Sequence, residues 1–143
     1  MTTTDLAPSR SAVGASATAA ILVYSDNAAI RAQVRGAIGD SLGGRAVELT
    51  DVATSKQAMF LAEENHYDLV IMDNETTKCG GVGLTRQMRN ELTNQQPLVL
   101  LLLARQQDAW LAAWSRADAA VVRPVDPFEL RRIVAGLLHL EAD

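Results

Sequence analysis

The stretch that decides the fold is "YDLVIMDNETTKCGG", residues 67–81. Its first half is apolar and its second half is polar, and Asp73 stands where the two halves meet. An unbroken apolar run such as 69–72 is typical of a strand that is covered on both faces. The carboxylate that follows either marks the return of the chain to solvent or lies at the rim of a sheet for a chemical purpose.

Short apolar runs and helical patterns alternate along the rest of the chain. Further strands are predicted in four segments: 20–25, 45–52, 97–104 and 118–122. Thr54 with Gln57 forms a capping box that opens one helix, while Asp126, Pro127 and Glu129 open the last one. Five such βα units predict an α/β fold, a doubly wound five-stranded parallel sheet in the order 2-1-3-4-5 with five helices.

The first helix is predicted to place Ile30, Val34, Ile38 and Leu42 on one buried face. The glycine pair 43–44 is expected to end that helix.

Length and composition predict one globular domain. The chain has 143 residues, of which 48% are hydrophobic and 21% charged. We expect a flexible leader at 1–19, a domain at 20–140 and a short tail at 141–143, with no room for a DNA-binding module. The leader lacks the features of a signal peptide, and the longest apolar run, 98–104, is too short to cross a bilayer. We therefore expect a soluble protein without direct membrane insertion.

The net charge argues against a nucleic-acid-binding protein, and the cysteine content argues against a protein held together by disulfides or by a zinc cluster. A net charge of −4 argues against a protein whose main task is nucleic-acid binding. The single cysteine, Cys79, has no partner for an internal disulfide, and two histidines are too few to complete a zinc cluster. These features favour the reducing cytoplasm, with Cys79 as an ordinary surface thiol.

Two aspartates are expected at one edge of the predicted sheet. Asp26 follows the first strand and Asp73 closes the third, and ligands of such sheets gather at the carboxyl ends of the strands. Two converging carboxylates would suit a hard cation such as Mg²⁺.

Over 20–140 the chain resembles the receiver domain of bacterial response regulators, the CheY-like family. The resemblance rests on the acid after the first strand, on Asp73, on Gly81 eight residues later, and on "RP" at 123–124 before the last helix. It implies that Asp73 accepts a phosphoryl group from a histidine kinase. It also implies that Asp26, Asp73 and the backbone carbonyl of Glu75 hold Mg²⁺, and that the Arg123–Pro124 bond is cis.

The phosphate cage that the resemblance implies is incomplete. Ser25 replaces one acid, Leu103 (Leu102 if the register slips) replaces a hydroxyl residue, and Arg123 replaces a lysine. Thr77 replaces a proline, and Ala120 replaces the aromatic residue that reports phosphorylation in many members. Because Arg is larger and prefers bidentate partners, it is not equivalent to Lys at a compact site. We expect a degenerate, non-catalytic receiver with a vestigial acceptor and no required cofactor, since Mg²⁺ would bind only weakly.

Two arrangements of the degenerate edge remain open. In the first, the Arg123 guanidinium bonds to Asp73 or Asp26 in place of a metal, because a partly buried carboxylate without a partner is costly. In the second, both acids face water in a shallow cleft.

The tryptophan pair is the second candidate site. Trp110 and Trp114 lie four residues apart in a short predicted helix, with Arg116 close behind. Either the tryptophans pack onto the sheet, or Leu111 and the neighbouring alanines fill the inner face and leave them as a partner-binding surface.

The segments "ILVYSDNAAIRAQVR" and "QDAWLAAWSRADA" resemble orphan actinobacterial receiver-like proteins linked to the proton-pumping NADH–quinone oxidoreductase. This resemblance implies an accessory or regulatory subunit on the peripheral arm of respiratory complex I, reaching the membrane only through that complex. The alternative is an active single-domain response regulator that accepts a phosphoryl group on Asp73. A third hypothesis, a small metal- or nucleotide-binding enzyme of flavodoxin-like fold, is opposed by the lack of a glycine-rich phosphate loop.

Overall fold

The computed structural model describes residues 18–76 and 79–140. The strands within these ranges are β1 (Ala19–Tyr24), β2 (Ser41–Leu42), β3 (Arg45–Val52), β4 (Leu69–Asp73), β5 (Leu98–Leu103) and β6 (Ala119–Val122). The α-helices are α1 (Ala28–Ile38), α2 (Ser55–Glu64), α3 (Gly81–Glu91), α4 (Trp110–Ser115) and α5 (Pro127–Leu137). A 3-10 turn, Gln106–Asp108, precedes α4. No helix in these ranges has the length and apolar character needed to span a membrane.

The sheet has the order β2-β3-β1-β4-β5-β6. From β3 to β6 all neighbouring strands are parallel, which confirms the predicted order 2-1-3-4-5 for the five long strands. The chain enters β1 at Ala19, which is fully buried and was predicted to belong to the leader. Most of the predicted leader, 1–17, and the tail, 141–143, lie outside the described residues.

The predicted end of the first helix is wrong, because a sixth strand lies there. Helix α1 stops at Ile38, and Gly39 closes it with φ of 72°. Leu42 lies in β2, which pairs antiparallel with the start of β3. Gly43 and Gly44 form the connecting turn with φ of 57° and 78°, values that suit a tight two-residue hairpin. Leu42 is fully buried in the hairpin, as it would have been on the predicted helix face, so its apolar character did not distinguish the two.

Helices cover both faces of the sheet. One apolar cluster joins α1 and α5 to strand residues such as Ile21 and Ile71. The other joins α2, α3 and α4 to their neighbours on the same strands, such as Leu22 and Met72. Alternate residues of one strand thus supply both layers, as the pleat requires. Because both faces are filled, the carboxyl edge and the outer helix surfaces are the places left for function.

The predicted helix starts are confirmed. The Thr54 hydroxyl accepts a hydrogen bond from the Gln57 backbone N–H at 3.1 Å. The Asp126 carboxylate accepts one from the Phe128 N–H at 2.9 Å, with Pro127 in the first turn of α5.

Candidate functional site

The positions predicted for a phosphate cage meet at the carboxyl edge of the sheet. Ser25 directly follows β1, Asp73 closes β4, Leu103 closes β5, and Arg123 directly follows β6. Asp26, next to Ser25, is exposed. The parallel strands therefore bring residues that are far apart in sequence to a single edge, as expected for a doubly wound sheet.

Asp73 is a buried carboxylate, with 1% of its surface exposed. Its Oδ2 atom accepts a hydrogen bond of 2.7 Å from the Ser25 hydroxyl. Its Oδ1 atom accepts one of 2.9 Å from the backbone N–H of Glu75. Both oxygens are therefore bonded within the chain, and such charge-assisted bonds are among the strong ones in proteins.

Ser25 is held so that its hydroxyl points at Asp73. Its Oγ accepts a hydrogen bond of 3.0 Å from the Asn27 N–H, which leaves the hydroxyl proton for the carboxylate. Its carbonyl oxygen accepts a bond of 2.6 Å from Arg31, whose Nε lies 3.2 Å from Asp51 Oδ2. Ser25, at a position where the resemblance implied a metal-binding acid, thus donates a hydrogen bond to Asp73.

Arg123 supplies the positive charge at the edge. Its Nη1 atom lies 4.0 Å from Asp73 Oδ2, which is an ion-pair distance and exceeds the 2.7–3.2 Å of a hydrogen bond. The side chain is 23% exposed, and its Nε atom is buried without a hydrogen-bond partner among the described residues. The contact predicted between Arg123 and Asp73 is present as an ion pair, not as a direct hydrogen bond. The Arg123–Pro124 peptide bond is cis, as the resemblance implied.

The end of β5 offers no hydroxyl to this edge. Leu103 is fully buried in the apolar layer, and its carbonyl oxygen accepts a hydrogen bond of 2.7 Å from the Arg123 N–H. Leu102, the alternative position, pairs with Asp73 in the sheet and is buried as well. Ala120 lies with Leu103 in the lining of a cleft of about 220 Å³ between the 3-10 turn and α5.

The loop from β4 to α3 depends on a side chain that sequence reasoning missed. The Asn74 amide oxygen accepts a hydrogen bond of 3.0 Å from the Val82 N–H and so caps α3, since Gly80 has no side chain to do so. A Cβ atom at Gly81 would lie 2.8 Å from Leu101 Cδ2, which explains the glycine at this position. Asn74 follows Asp73 directly, so the same loop positions the acid and starts the helix.

Tyr24 holds the part of this loop that precedes α3 by a hydrogen bond. Its hydroxyl donates a hydrogen bond of 2.5 Å to the carbonyl oxygen of Cys79, and the Thr76 hydroxyl donates to the same oxygen. Burial raises the pKa of Tyr24 above its usual value, because the phenolate would lose solvation. Cys79 is half-buried, not a fully exposed thiol. Thr77 lies outside the described residues.

Both tryptophans of α4 face outward. Trp110 is 64% exposed and Trp114 is 52% exposed. Leu111 and Ala112 pack on the sheet instead, as the second of the two predicted arrangements required. Arg116, the third residue predicted to bind a partner, is also exposed. Trp110 and Trp114 thus form an exposed surface on α4, and Arg116 follows at the C-cap of that helix.

Arg86 of α3 belongs to this surface and was not found from the sequence. Its guanidinium carbon lies 4.1 Å from the centre of the Trp114 ring, a cation–π contact. Its Nη1 atom donates a hydrogen bond of 3.0 Å to the Trp114 carbonyl oxygen. Because 28 residues separate the partners, no local pattern announces the contact.

Comparison with known proteins identifies relatives over most of the chain. The family model for the response regulator receiver domain matches residues 21–135. An uncharacterized response regulatory protein of Mycobacterium tuberculosis is 44% identical over 124 residues, covering 85% of this chain and 92% of the relative. A segment of the autoinducer 2 sensor kinase/phosphatase LuxQ of Vibrio vulnificus is 31% identical over 94 residues, covering 64% of this chain but 10% of that protein.

Solved structures agree on the fold. The receiver domain of the Francisella response regulator 1452 superposes with a TM-score of 0.73 at 22% identity, covering 85% of this chain and 98% of that one. The receiver domain of the Pseudomonas aeruginosa sensor histidine kinase PA1611 gives a TM-score of 0.68 at 25% identity, covering 86% and 99%. That structure has a magnesium ion coordinated in its active-site cleft.

Proposed function

Because this chain belongs to the response regulator receiver family, we propose that it is a pseudo-receiver, a receiver domain that docks onto another protein without accepting phosphate. The observation that carries the proposal is the bonding of Asp73. The acid is buried, its oxygens accept hydrogen bonds from Ser25 and Glu75, and Arg123 supplies the balancing charge. The alternative is an active single-domain regulator that accepts a phosphoryl group on Asp73.

The residues at the edge do not fit the Mg²⁺ ion that active receivers use. A hard cation needs several anionic or carbonyl oxygens. Here Ser25 directs a proton, not an anionic oxygen, at Asp73. Within 18–76 and 79–140, no three His, Cys, Asp or Glu residues group in a way that could hold a metal ion. Asp26, Asp73 and the Glu75 carbonyl would have to bind the ion with a guanidinium 4.0 Å from Asp73, which opposes a second cation by repulsion.

The docking surface of the proposal is α4 with its exposed Trp110, Trp114 and Arg116. Tryptophan and arginine are enriched at binding hot spots, and large apolar side chains left in water favour association. We propose a larger protein complex on the cytoplasmic side as the partner. The more specific proposal is an accessory subunit of the proton-pumping NADH–quinone oxidoreductase, supported by the resemblance of 21–35 and 107–119 to orphan receivers linked to that enzyme.

Phosphorylation can be tested directly. The purified chain is incubated with acetyl phosphate and Mg²⁺ and its intact mass is measured. We expect no stoichiometric gain of one phosphate in the native sequence. A gain that disappears in Asp73→Asn would establish the relay alternative. The matched control restores the cage with Ser25→Asp, Leu103→Thr and Arg123→Lys. If only this variant gains a phosphate, those three positions are the reason why the native chain is not phosphorylated.

Docking can be tested by co-purification with the oxidoreductase from native extracts. We expect recovery of its peripheral-arm subunits with the native chain and loss of recovery with Trp110→Ala/Trp114→Ala. Phe60 on α2 is 63% exposed, so Phe60→Ala is a matched control for removal of an exposed aromatic side chain elsewhere. Equal recovery with all three proteins would remove α4 as the docking surface.

A further inference from the structure

A single patch on the outside of α3 and α4 combines aromatic and cationic side chains. We call it the α3–α4 surface and define it by Trp110, Trp114, Arg86 and Arg116. Both tryptophans are more than half exposed, and Arg86 covers one face of the Trp114 ring at 4.1 Å. Arg86 as a whole is half-buried, so part of its side chain is accessible beside the exposed tryptophans.

Within 18–76 and 79–140, no acid forms an ion pair with the two arginines of this surface. Arg86 contacts the ring and the carbonyl oxygen of Trp114, both neutral. Arg116 donates a hydrogen bond of 2.8 Å to the Asn90 amide oxygen, also neutral. Neighbouring arginines differ, since Arg89 lies 2.9 Å from an Asp118 oxygen. Among the described residues, no ion pair with a carboxylate involves Arg86 or Arg116, although the whole chain carries a net charge of −4.

Arg116 also occupies an unfavourable backbone position. It ends α4 with φ of 68°, and the N–H groups of Arg116 and Ala117 bond back to Ala113 and Ala112 in the pattern of a helix terminus that usually contains glycine. A side chain in this left-handed region is costly, and such outliers cluster at functional sites. The chain thus accepts backbone strain at an exposed arginine whose guanidinium reaches Asn90 of α3.

We propose that the α3–α4 surface recognises an acidic segment of the partner protein. Carboxylates of the segment bind the guanidiniums of Arg86 and Arg116, in the planar geometry for which arginine is suited. An apolar side chain of the segment covers the exposed tryptophan rings. This inference rests on the proposed docking function and specifies the chemistry of its partner.

Other anionic partners fit less well. Nucleic acids attract proteins through many phosphate contacts, and the net negative charge of this chain opposes them. Recognition of anionic lipids usually needs a cluster of several Lys and Arg, whereas this surface offers two guanidiniums without a carboxylate partner. A short acidic protein segment matches two charges beside an apolar patch.

The test uses the full chain and a fluorescently labelled peptide in which glutamates flank a leucine stripe, with binding followed by anisotropy. Both tryptophans of the chain lie on this surface, so their emission gives a second, local measure. We expect saturable binding that weakens with added NaCl, because the pairs are partly exposed. Arg86→Gln keeps an N–H donor for the Trp114 carbonyl, and Arg116→Asn suits the left-handed backbone. Together they should weaken binding at least tenfold.

The matched control is Arg132→Gln, which removes an arginine on α5 that is 66% exposed and lies 3.8 Å from Glu129. It should leave binding unchanged. The acidic partner is ruled out if the peptide fails to bind, if a lysine version binds equally, or if the two variants bind like the native chain. Stronger binding of a DNA oligonucleotide or of anionic vesicles would assign the surface to phosphates, and self-association would assign it to a second copy. Docking that needs the tryptophans but neither arginine would retain the proposed function and reject this inference.

Discussion

The carboxyl edge and the α3–α4 surface use similar side chains in opposite ways. At the edge, the buried carboxylate of Asp73 is bonded by Ser25 and lies 4.0 Å from Arg123. On the α3–α4 surface, Trp110 is 64% exposed, and Arg86 has the Trp114 ring as its partner. At the edge both Asp73 oxygens are bonded within the chain, while the Arg123 Nε atom is buried without a hydrogen-bond partner among the described residues. The two regions therefore differ in exposure: the acid of the edge is buried, whereas the tryptophan rings of the α3–α4 surface are more than half exposed.

The largest effect on stability is expected from removing Arg89, whose side chain bonds to the end of α4 next to the α3–α4 surface. Arg89, 12% exposed, donates hydrogen bonds to the carbonyl oxygens of Pro97 at 2.8 Å and Arg116 at 3.0 Å, and pairs with Asp118. Arg89→Ala should lower the free energy of unfolding by ~3 kcal/mol, since it leaves the two carbonyl acceptors without their donor and removes the ion pair of Asp118, which keeps its hydrogen bond from the Val99 N–H. Urea denaturation followed by circular dichroism measures this.

Arg132→Ala is the control for that variant, because its ion pair with Glu129 spans 3.8 Å and is exposed. It should cost less than ~0.5 kcal/mol. Equal effects of the two variants would mean that apolar packing alone fixes α4.

A smaller effect is expected where the edge meets α3. Gly81→Ala would place a Cβ atom 2.8 Å from Leu101 Cδ2 and 2.9 Å from Met72 Cβ. Overpacking of this kind should destabilise the chain by ~2 kcal/mol. Gly36→Ala, in α1 with nothing within 4 Å of the new atom, should instead stabilise it by ~0.5–1 kcal/mol. Thermal unfolding of both variants measures these effects. If Gly81→Ala had no effect, the start of α3 could move away from Leu101 and Met72 at little cost.

The hydrogen bond from Ser25 to Asp73 gives the next test of the comparison. Ser25→Ala removes the donor to a buried carboxylate and the acceptor of the Asn27 N–H, so it should cost ~1.5 kcal/mol. Ser115 is equally buried, but its hydroxyl donates only to the Ala112 carbonyl three residues earlier. Ser115→Ala should therefore cost less than ~1 kcal/mol. If the order in urea midpoints is reversed, the edge does not depend on its internal hydroxyl.

The smallest effect concerns pH. The hydrogen bond from Arg35, the positive charge of the same side chain and a hydrogen bond from Arg31 hold the pKa of Asp51 below its usual value. A lowered carboxylate pKa contributes stability that is complete above the unfolded value of ~3.9 and is lost as the pH falls through the folded pKa. Because the Asp51 side chain is 36% exposed, we expect no more than ~1 kcal/mol. Asp51→Asn should be less stable than the native chain at neutral pH, and in urea titrations the difference should shrink as the pH falls below ~3.9. A difference that persists in acid would contradict this account.

The fold could be predicted because its signals are local. Apolar runs marked the five parallel strands, and Thr54 and Asp126 marked helix starts that the structure confirms. The hairpin at 41–46 was missed because Leu42 continues the helical spacing of Ile38, so burial alone fits both structures. Only the two positive φ angles of the glycine pair separate them, and a Gly-Gly sequence also suits the end of a helix.

The sequence predicted which residues lie at the carboxyl edge, but not the hydrogen bonds between them. The resemblance brought Ser25, Asp73 and Arg123 to one edge, and the structure places them there. It presented Ser25 as a loss, because a serine hydroxyl either accepts or donates and the sequence does not say which. The bond to Asp73 joins residues 48 positions apart, and its direction follows from the Asn27 N–H that occupies the oxygen of Ser25. Arg86 was missed for the same reason, since its partner belongs to another helix.

The half-buried Cys79 lies in the loop beside the edge and is the one cysteine of the sequence, while both tryptophans belong to α4. A thiol-reactive acceptor dye on Cys79 would therefore make a donor–acceptor pair with the indoles, without any added mutation. Energy transfer in that pair reports the separation between loop and helix in solution. The native chain thus contains both the fluorescent donors and the single dye-attachment site that such a distance measurement requires.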